Sequence, residues 1–113
     1  MIEKIILDHL AQKLQVDCCM ERPAKEPAEF VLLEKTGESS TNQIPTAILA
    51  VQSYGKTLYQ AAALNEKVKT AMLEAAALPE IGAVHLNSDY NFTDTAAKRY
   101  RYQAVFDVTY YRT

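Results

Sequence analysis

The sequence is poor in the residues that build dedicated chemistry. Its two cysteines, Cys18 and Cys19, are neighbours. A bridge between them closes a strained ring and staples nothing distant. With no other cysteine in the chain, a zinc or disulfide framework is excluded, and reduced thiols in a cytosolic context follow. Only three glycines occur, Gly37, Gly55 and Gly82. They are scattered, which leaves no glycine-rich phosphate loop, and no serine-nucleophile elbow is present. No apolar run approaches the roughly 20 residues of a membrane-spanning helix. The stretch Met1–Leu14 is interrupted by Glu3, Lys4, Asp8 and His9, so no signal peptide is read there. The net charge of −2 lacks the strong basic excess of a domain that holds nucleic acid by bulk electrostatics.

Catalytic constellations are equally thin. His9 falls on the apolar side of a helical pattern, where a packing role is the expectation. His85 falls on the polar side of a strand, with no second histidine or cysteine at metal-ligand spacing. Asp89 and Asp94 read as strand-end and turn carboxylates and not as an acid-base pair. Cys18 or Cys19 would need a base delivered by the fold to act as a nucleophile. The residues therefore point to no enzyme, no cofactor and no metal.

What is present suits one soluble domain: 113 residues, 49% hydrophobic and 23% charged. The strongest pattern is period two over Arg99–Arg112. Tyr100, Tyr102, Ala104, Phe106, Val108 and Tyr110 form one face, and Arg99, Arg101, Gln103, Val105, Asp107, Thr109 and Tyr111 the other. This predicts a strand of an antiparallel sheet with one packed and one wet face. Basic and aromatic side chains alternate there on opposite faces, which argues against a stacking platform for single-stranded nucleic acid.

Upstream, Ile2, Ile5, Ile6, His9, Leu10 and Leu14 recur at helical spacing and predict an amphipathic helix over Ile2–Gln15. Gln15–Pro27, with two prolines and mixed charge, reads as an extended crossing segment. Phe30–Lys35 and Thr46–Ser53 read as strands. The connection between them, Thr36–Pro45, is long for a hairpin and has little to bury, so it reads either as a solvated loop or as an interaction segment. Thr57 with Gln60 forms a capping box that opens a helix ending before Pro79. Val84–Phe92 reads as the third strand and Thr93–Ala97 as a polar turn. The expected fold is α+β, a single domain of order α-β-β-α-β-β, with a four-stranded antiparallel sheet carrying both helices on one face.

Several of these pieces together resemble one family, the tail-terminator or tail-completion proteins of long-tailed bacteriophages and prophages. The carrying residues are Pro27–Gly37, then Ala50–Tyr54, the alanine-rich helix opening at Thr57, and Arg101–Val105 with the terminal Arg112. The chain departs from the family pattern at Glu26-Pro27, where Arg-Pro is usual, at Gly37-Glu38 in place of Gly-Gly, and at Tyr54 in place of Trp. The resemblance implies a structural virion protein that caps the tail tube as a six-fold ring, ends tail polymerisation and joins tail to head. Its implied partners are further copies of itself, the major tail tube protein and a head-completion or connector protein, with no membrane and no sequence-specific nucleic acid. Its implied location is the head-tail junction of the virion, and the host cytoplasm during assembly. On this resemblance the tube or head contact is expected at Thr36, Gly37, Glu38, Ser39, Ser40, Thr41, Asn42 and Gln43, and the subunit contacts at Arg99, Arg101 and Gln103. The alternative reading is a cytosolic α/β binding or adaptor domain forming a small oligomer.

Overall fold

The structure, a computed structural model, describes residues 1–111. Helix α1 (Ile2–Leu14) is followed by a short strand β1 (Asp17–Cys19), then β2 (Phe30–Thr41), β3 (Ile44–Gly55) and helix α2 (Leu58–Glu74). A single 3-10 turn (Ala75–Ala77) leads into β4 (Ile81–Asn91) and β5 (Tyr100–Tyr110). The five strands form one mixed sheet in the order β1-β2-β3-β5-β4. The last strand thus inserts between β3 and β4 instead of lying at the margin.

Periodicity accounts for the helices. Ile2, Ile6, His9 and Leu10 of α1 are buried, and the helix stops at Gln15, whose φ of 57° is left-handed. Thr57 caps α2 by accepting the Gln60 N–H at 3.1 Å, while the Gln60 side chain accepts the Lys56 N–H at 3.2 Å. This is the expected capping box, its return bond displaced by one residue. Ala61, Leu64, Val68, Ala71 and Met72 of α2 then pack on the sheet. The small residues allow a close approach. A Cβ on Gly55, the last residue of β3, would lie 2.6 Å from the backbone nitrogen of Ala61, so only glycine fits there.

The sheet has two distinct faces. The face beneath the helices carries Val31 and Leu33 of β2, Ala47, Leu49 and Val51 of β3, Ala104, Phe106 and Val108 of β5, and Val84 of β4. The even positions of β5 are therefore the packed ones, as alternation predicts. Arg112, the predicted end of that strand, lies outside the described residues.

Three expectations need correction. The sheet is not four-stranded and antiparallel, because the presumed crossing segment contributes β1, which pairs in parallel with β2 through Asp17↔Phe30, Cys18↔Val31 and Cys19↔Leu32. Three residues are too few to show a periodicity, so no sequence pattern could report this strand. The element order is accordingly α-β-β-β-α-β-β. The region Thr36–Pro45 is not a loop either. β2 and β3 pair continuously to Thr41↔Ile44, with a bulge between Lys35 and Gly37, and turn through Asn42 and Gln43 alone. Both turn residues have positive φ, 52° and 65°, which is the two-residue geometry whose twist matches the flanking strands. The polar run hid the end of β2, because Glu38–Thr41 are exposed on both faces and so do not alternate. Finally, the third predicted strand begins at Ile81 and not at Val84.

The turn gives a direct test of the hairpin. Gln43 holds a left-handed conformation that costs a side-chain-bearing residue on the order of 1–2 kcal/mol, whereas glycine adopts it freely. Gln43→Gly is expected to raise stability by about 0.5–1 kcal/mol after the added flexibility of the unfolded chain is subtracted, read as a higher urea midpoint. In an unstructured loop the same change would leave the midpoint unmoved or lower.

Candidate functional site

The open face of the sheet, opposite the helices, gathers the chain's aromatic and basic groups at one end. Phe30 and Tyr54 lie across from each other in β2 and β3 and stack with ring centroids 4.4 Å apart and planes 8° from parallel. Neither is exposed. They are covered by the segment joining β1 to β2, which crosses this face. A parallel pair cannot be joined by a tight turn, so the chain must pass over one side of the sheet, and the helices already occupy the other.

Arginines fasten that crossover. The Arg22 guanidinium lies 5.6 Å from the centre of the Tyr54 ring, and Arg101 lies 5.8 Å from it. Arg99 sits 5.3 Å from Phe30 and 5.5 Å from Tyr54. Such placements favour the cation through the ring quadrupole. Arg99 also donates to the carbonyls of Gly55 (3.3 Å) and Pro27 (3.1 Å), and its Nε lies 3.1 Å from Glu26. Arg22 pairs with Glu26 at 2.6 Å, a contact that holds its guanidinium pKa above the ordinary value.

A polar ladder runs from this cluster into the sheet. Arg101 donates to the Tyr54 hydroxyl at 3.0 Å and to the Phe92 carbonyl at 2.6 Å. Tyr54 donates to Gln52 at 2.8 Å, Gln52 to Gln103 at 2.9 Å, and Gln103 to the Tyr90 hydroxyl. The Phe92 ring lies edge-on to Tyr90 and beneath Arg101. Three strands, β3, β5 and β4, are thus tied by side chains on a face that has no helix over it.

The structure therefore separates the two groups of candidate residues. Arg99, Arg101 and Gln103 are gathered at the crossover end, and each is held by intramolecular partners. Thr36 through Gln43 form the opposite end, in β2 and the hairpin turn. There the hairpin tip and the end of β5 enclose a groove of about 530 Å³ lined by Ser40, Gln43, Ile44, Tyr110 and Tyr111. Glu38 accepts from Tyr110 and pairs with Lys35 at 3.6 Å, which fastens the hairpin to the sheet. Ile44 and Ile48 remain substantially exposed on this arm. Sequence reasoning placed Arg22, Gln52 and Tyr90 in no site. An Arg-Pro pair inside the crossing segment and the paired glutamines at Gln52 and Gln103 were the available signals, but only the register shows that they meet.

The residues weighed for chemistry stay apart. His9 is buried, with Nε2 donating to the Ala71 carbonyl at 2.7 Å, which joins α1 to α2. Asp89 accepts from Asn65 and pairs with Lys69 at 2.6 Å, anchoring β4 to α2. Asp94 accepts the N–H groups of Ala96 and Ala97 and shapes the β4–β5 turn. No cluster of three or more histidine, cysteine or acidic residues suited to a metal is found among the described residues. Burial, with the neighbouring Cys19 and Asp17 adding to it, pushes the Cys18 thiol from an ordinary 9.0 up to about 11.

Two expectations follow. Arg99→Met is expected to release the crossover while leaving the helix-covered core intact, read as faster amide exchange and new proteolytic cleavage confined to residues 20–29. A cut elsewhere would contradict the clamp. Cys18 is expected to resist alkylation near neutral pH, its rate rising only as pH approaches 11. Because its folded pKa is raised, its contribution to stability is complete below pH 9 and declines above it.

No known family profile matches this chain, and no curated protein matches it. Among solved structures, a chain from the virion of a native gene transfer agent particle shares the fold, with a TM-score of 0.70 and 13% sequence identity over 93% of this chain and 90% of that one.

Proposed function

We propose that the protein is a structural component of a phage or phage-like virion, and specifically that it caps the tail tube as a ring, ends tail polymerisation and joins tail to head. The observation that carries this reading is the fold shared, almost end to end, with a chain of a gene transfer agent virion. The family resemblance of the sequence points the same way independently. The shape agrees. One end is a sheet stiffened by a clamped crossover, and the other is a polar hairpin arm with exposed Ile44 and Ile48, on a molecule 44 Å long and 24 Å across.

On this reading the arm, Thr36 to Gln43, meets the tube or the head. It does so as a preformed hairpin and not as a segment that orders on assembly. Preformed contacts avoid the cost of ordering a flexible chain on binding. Arg101 and Gln103, with Arg99, support the rigid end and reach a neighbouring subunit only through their outward-facing edges. No catalytic step is assigned to the protein.

Deleting the gene from its parent phage or prophage is expected to yield filled heads separate from tails of uncontrolled length, counted by electron microscopy. Intact virions would remove the proposal. A narrower variant, Ser39→Glu with Thr41→Glu, is expected to fold with an unchanged circular dichroism spectrum and to reproduce the unjoined heads and tails. Normal joining by that variant would clear the arm of the role.

A further inference from the structure

The sheet ends in two open margins. β4, eleven residues long, pairs with β5 on one side only. At the other margin β1 covers β2 only over Phe30–Leu32, so among the described residues Leu33–Thr41 has no strand on its outer side. A strand edge presents a row of unshared N–H and C=O groups, and natural proteins usually blunt it with proline or with charge. Neither margin contains proline. The single acidic residue of β4, Asp89, is turned to the helix face and neutralised by Lys69. In β2, Lys35 and Glu38 pair with each other, and the exposed Glu34 at its inner end is the remaining charge of that edge.

The two margins are also complementary in direction. Each successive pair from β2 through β3 and β5 to β4 is antiparallel. β2 and β4 therefore run in opposite directions, and copies set side by side in one orientation bring β4 of one antiparallel to β2 of the next. β2 carries one bulge, between Lys35 and Gly37, and β4 two, between Ile81 and Ala83 and between Leu86 and Ser88. Lys35 lies across from Leu49, Leu49 from Phe106, and Phe106 from Leu86. Lys35 and Leu86 thus stand at the same height on opposite margins, and the two bulges flank that rung, the β2 bulge on the Asp107 side and the β4 bulge on the Val105 side.

We propose that these margins are the two halves of one interface. β4 of one copy adds as an antiparallel strand to the main-chain groups of Leu33–Thr41 of the next, making a sheet continuous from subunit to subunit and leaving the side chains of the arm and its turn at Asn42-Gln43 to meet the tube or the head. The occupant of each edge is a second copy of this chain, because the chain itself carries the open edge of complementary direction, with Leu86 on one margin level with Lys35 on the other. In level register Leu86, which is 43% exposed in the isolated subunit, comes beside the aliphatic stem of the next copy's Lys35, which covers it. Such a contact is heterologous, so it closes into a ring or runs on as a filament. This inference deepens the ring reading above and rests on it.

The test uses two edge-blocked variants and native mass spectrometry. Thr36→Pro blocks the β2 edge and Asn87→Pro the β4 edge; both positions sit in the bulges, without a registered partner in the adjoining strand, where proline is tolerated. Wild-type chain is expected to assemble into species larger than a dimer. Each variant alone is expected to stay monomeric, and an equimolar mixture to give a discrete heterodimer, since one copy keeps its β4 edge and the other its β2 edge. Amide exchange of the wild-type assembly should slow over residues 33–41 and 81–91 together. Assembly of either variant like wild type, failure of the mixture to dimerise, or a wild-type chain that stays monomeric to its solubility limit overturns the inference. Should a proline variant lose its circular dichroism signature, Thr36→Lys or Asn87→Lys replaces it under the same criteria. Rings that form without protection at these edges overturn the edge pairing and leave the capping role standing. Intact virions after gene deletion overturn the capping role whatever the edges do.

Discussion

The interaction on which the rest of the structure depends is the fastening of the crossover to the open face, centred on Tyr54. Its ring takes the stack with Phe30 and the flanking arginines, while its hydroxyl sits between Arg101 and Gln52. Buried polar groups cost free energy unless they are hydrogen-bonded, and here each step of the chain from Arg101 to Tyr90 satisfies the next. Removing one member would leave its neighbours buried with a donor or acceptor unmet. The parallel placement of β1 follows from this arrangement, because β1 can lie beside β2 only if the intervening segment is held down on the sheet. The helices contribute on the other face through ordinary apolar packing. The two faces therefore have different physics, dispersion and desolvation on one, directional contacts to cations and amides on the other.

Much of the fold was legible in the sequence. The alternation in β5 is strong because Phe106 and Val108 face the helices while Asp107 and Thr109 do not, and this contrast is what period two records. The helices were legible for the same reason at period 3.6, and the capping box at Thr57 marked the start of α2 closely. The hairpin arm was illegible because its first half, Glu38–Thr41, is polar and exposed on both faces, and its turn, Asn42-Gln43, lacks the glycine that usually announces such a geometry. β1 was illegible because pairing, and not composition, makes it a strand. The crossover cluster was half legible. Arg99 and Arg101 stood out as basic residues among aromatics, but that they face inward to Phe30 and Tyr54 depends on a register no local pattern contains.

The insertion of β5 between β3 and β4 joins these observations. A final strand at the margin would have set β4 beside β3 and left Gln52 without Gln103. In the interior, β5 carries both the densest packing on the helix face and the central rung of the polar ladder on the other. The substitution of Gly55 by any larger residue would act at the same junction, where the end of β3 meets the start of α2. The crossover end is accordingly the most constrained part of the molecule.

That distribution has a mechanical meaning. Where the crossover lies over the sheet the molecule is three layers deep, toward the middle it is two layers, helix on sheet, and at Asn42-Gln43 it is a single two-stranded ribbon. Bending stiffness and resistance to local opening fall along the same direction, since the free energy of opening follows how much each segment buries. The subunit thus tapers in stiffness, firm at its thick end and compliant at its tip. Of its two ends, the tip is the one that yields to a small displacement of whatever it touches while the crossover end keeps its shape.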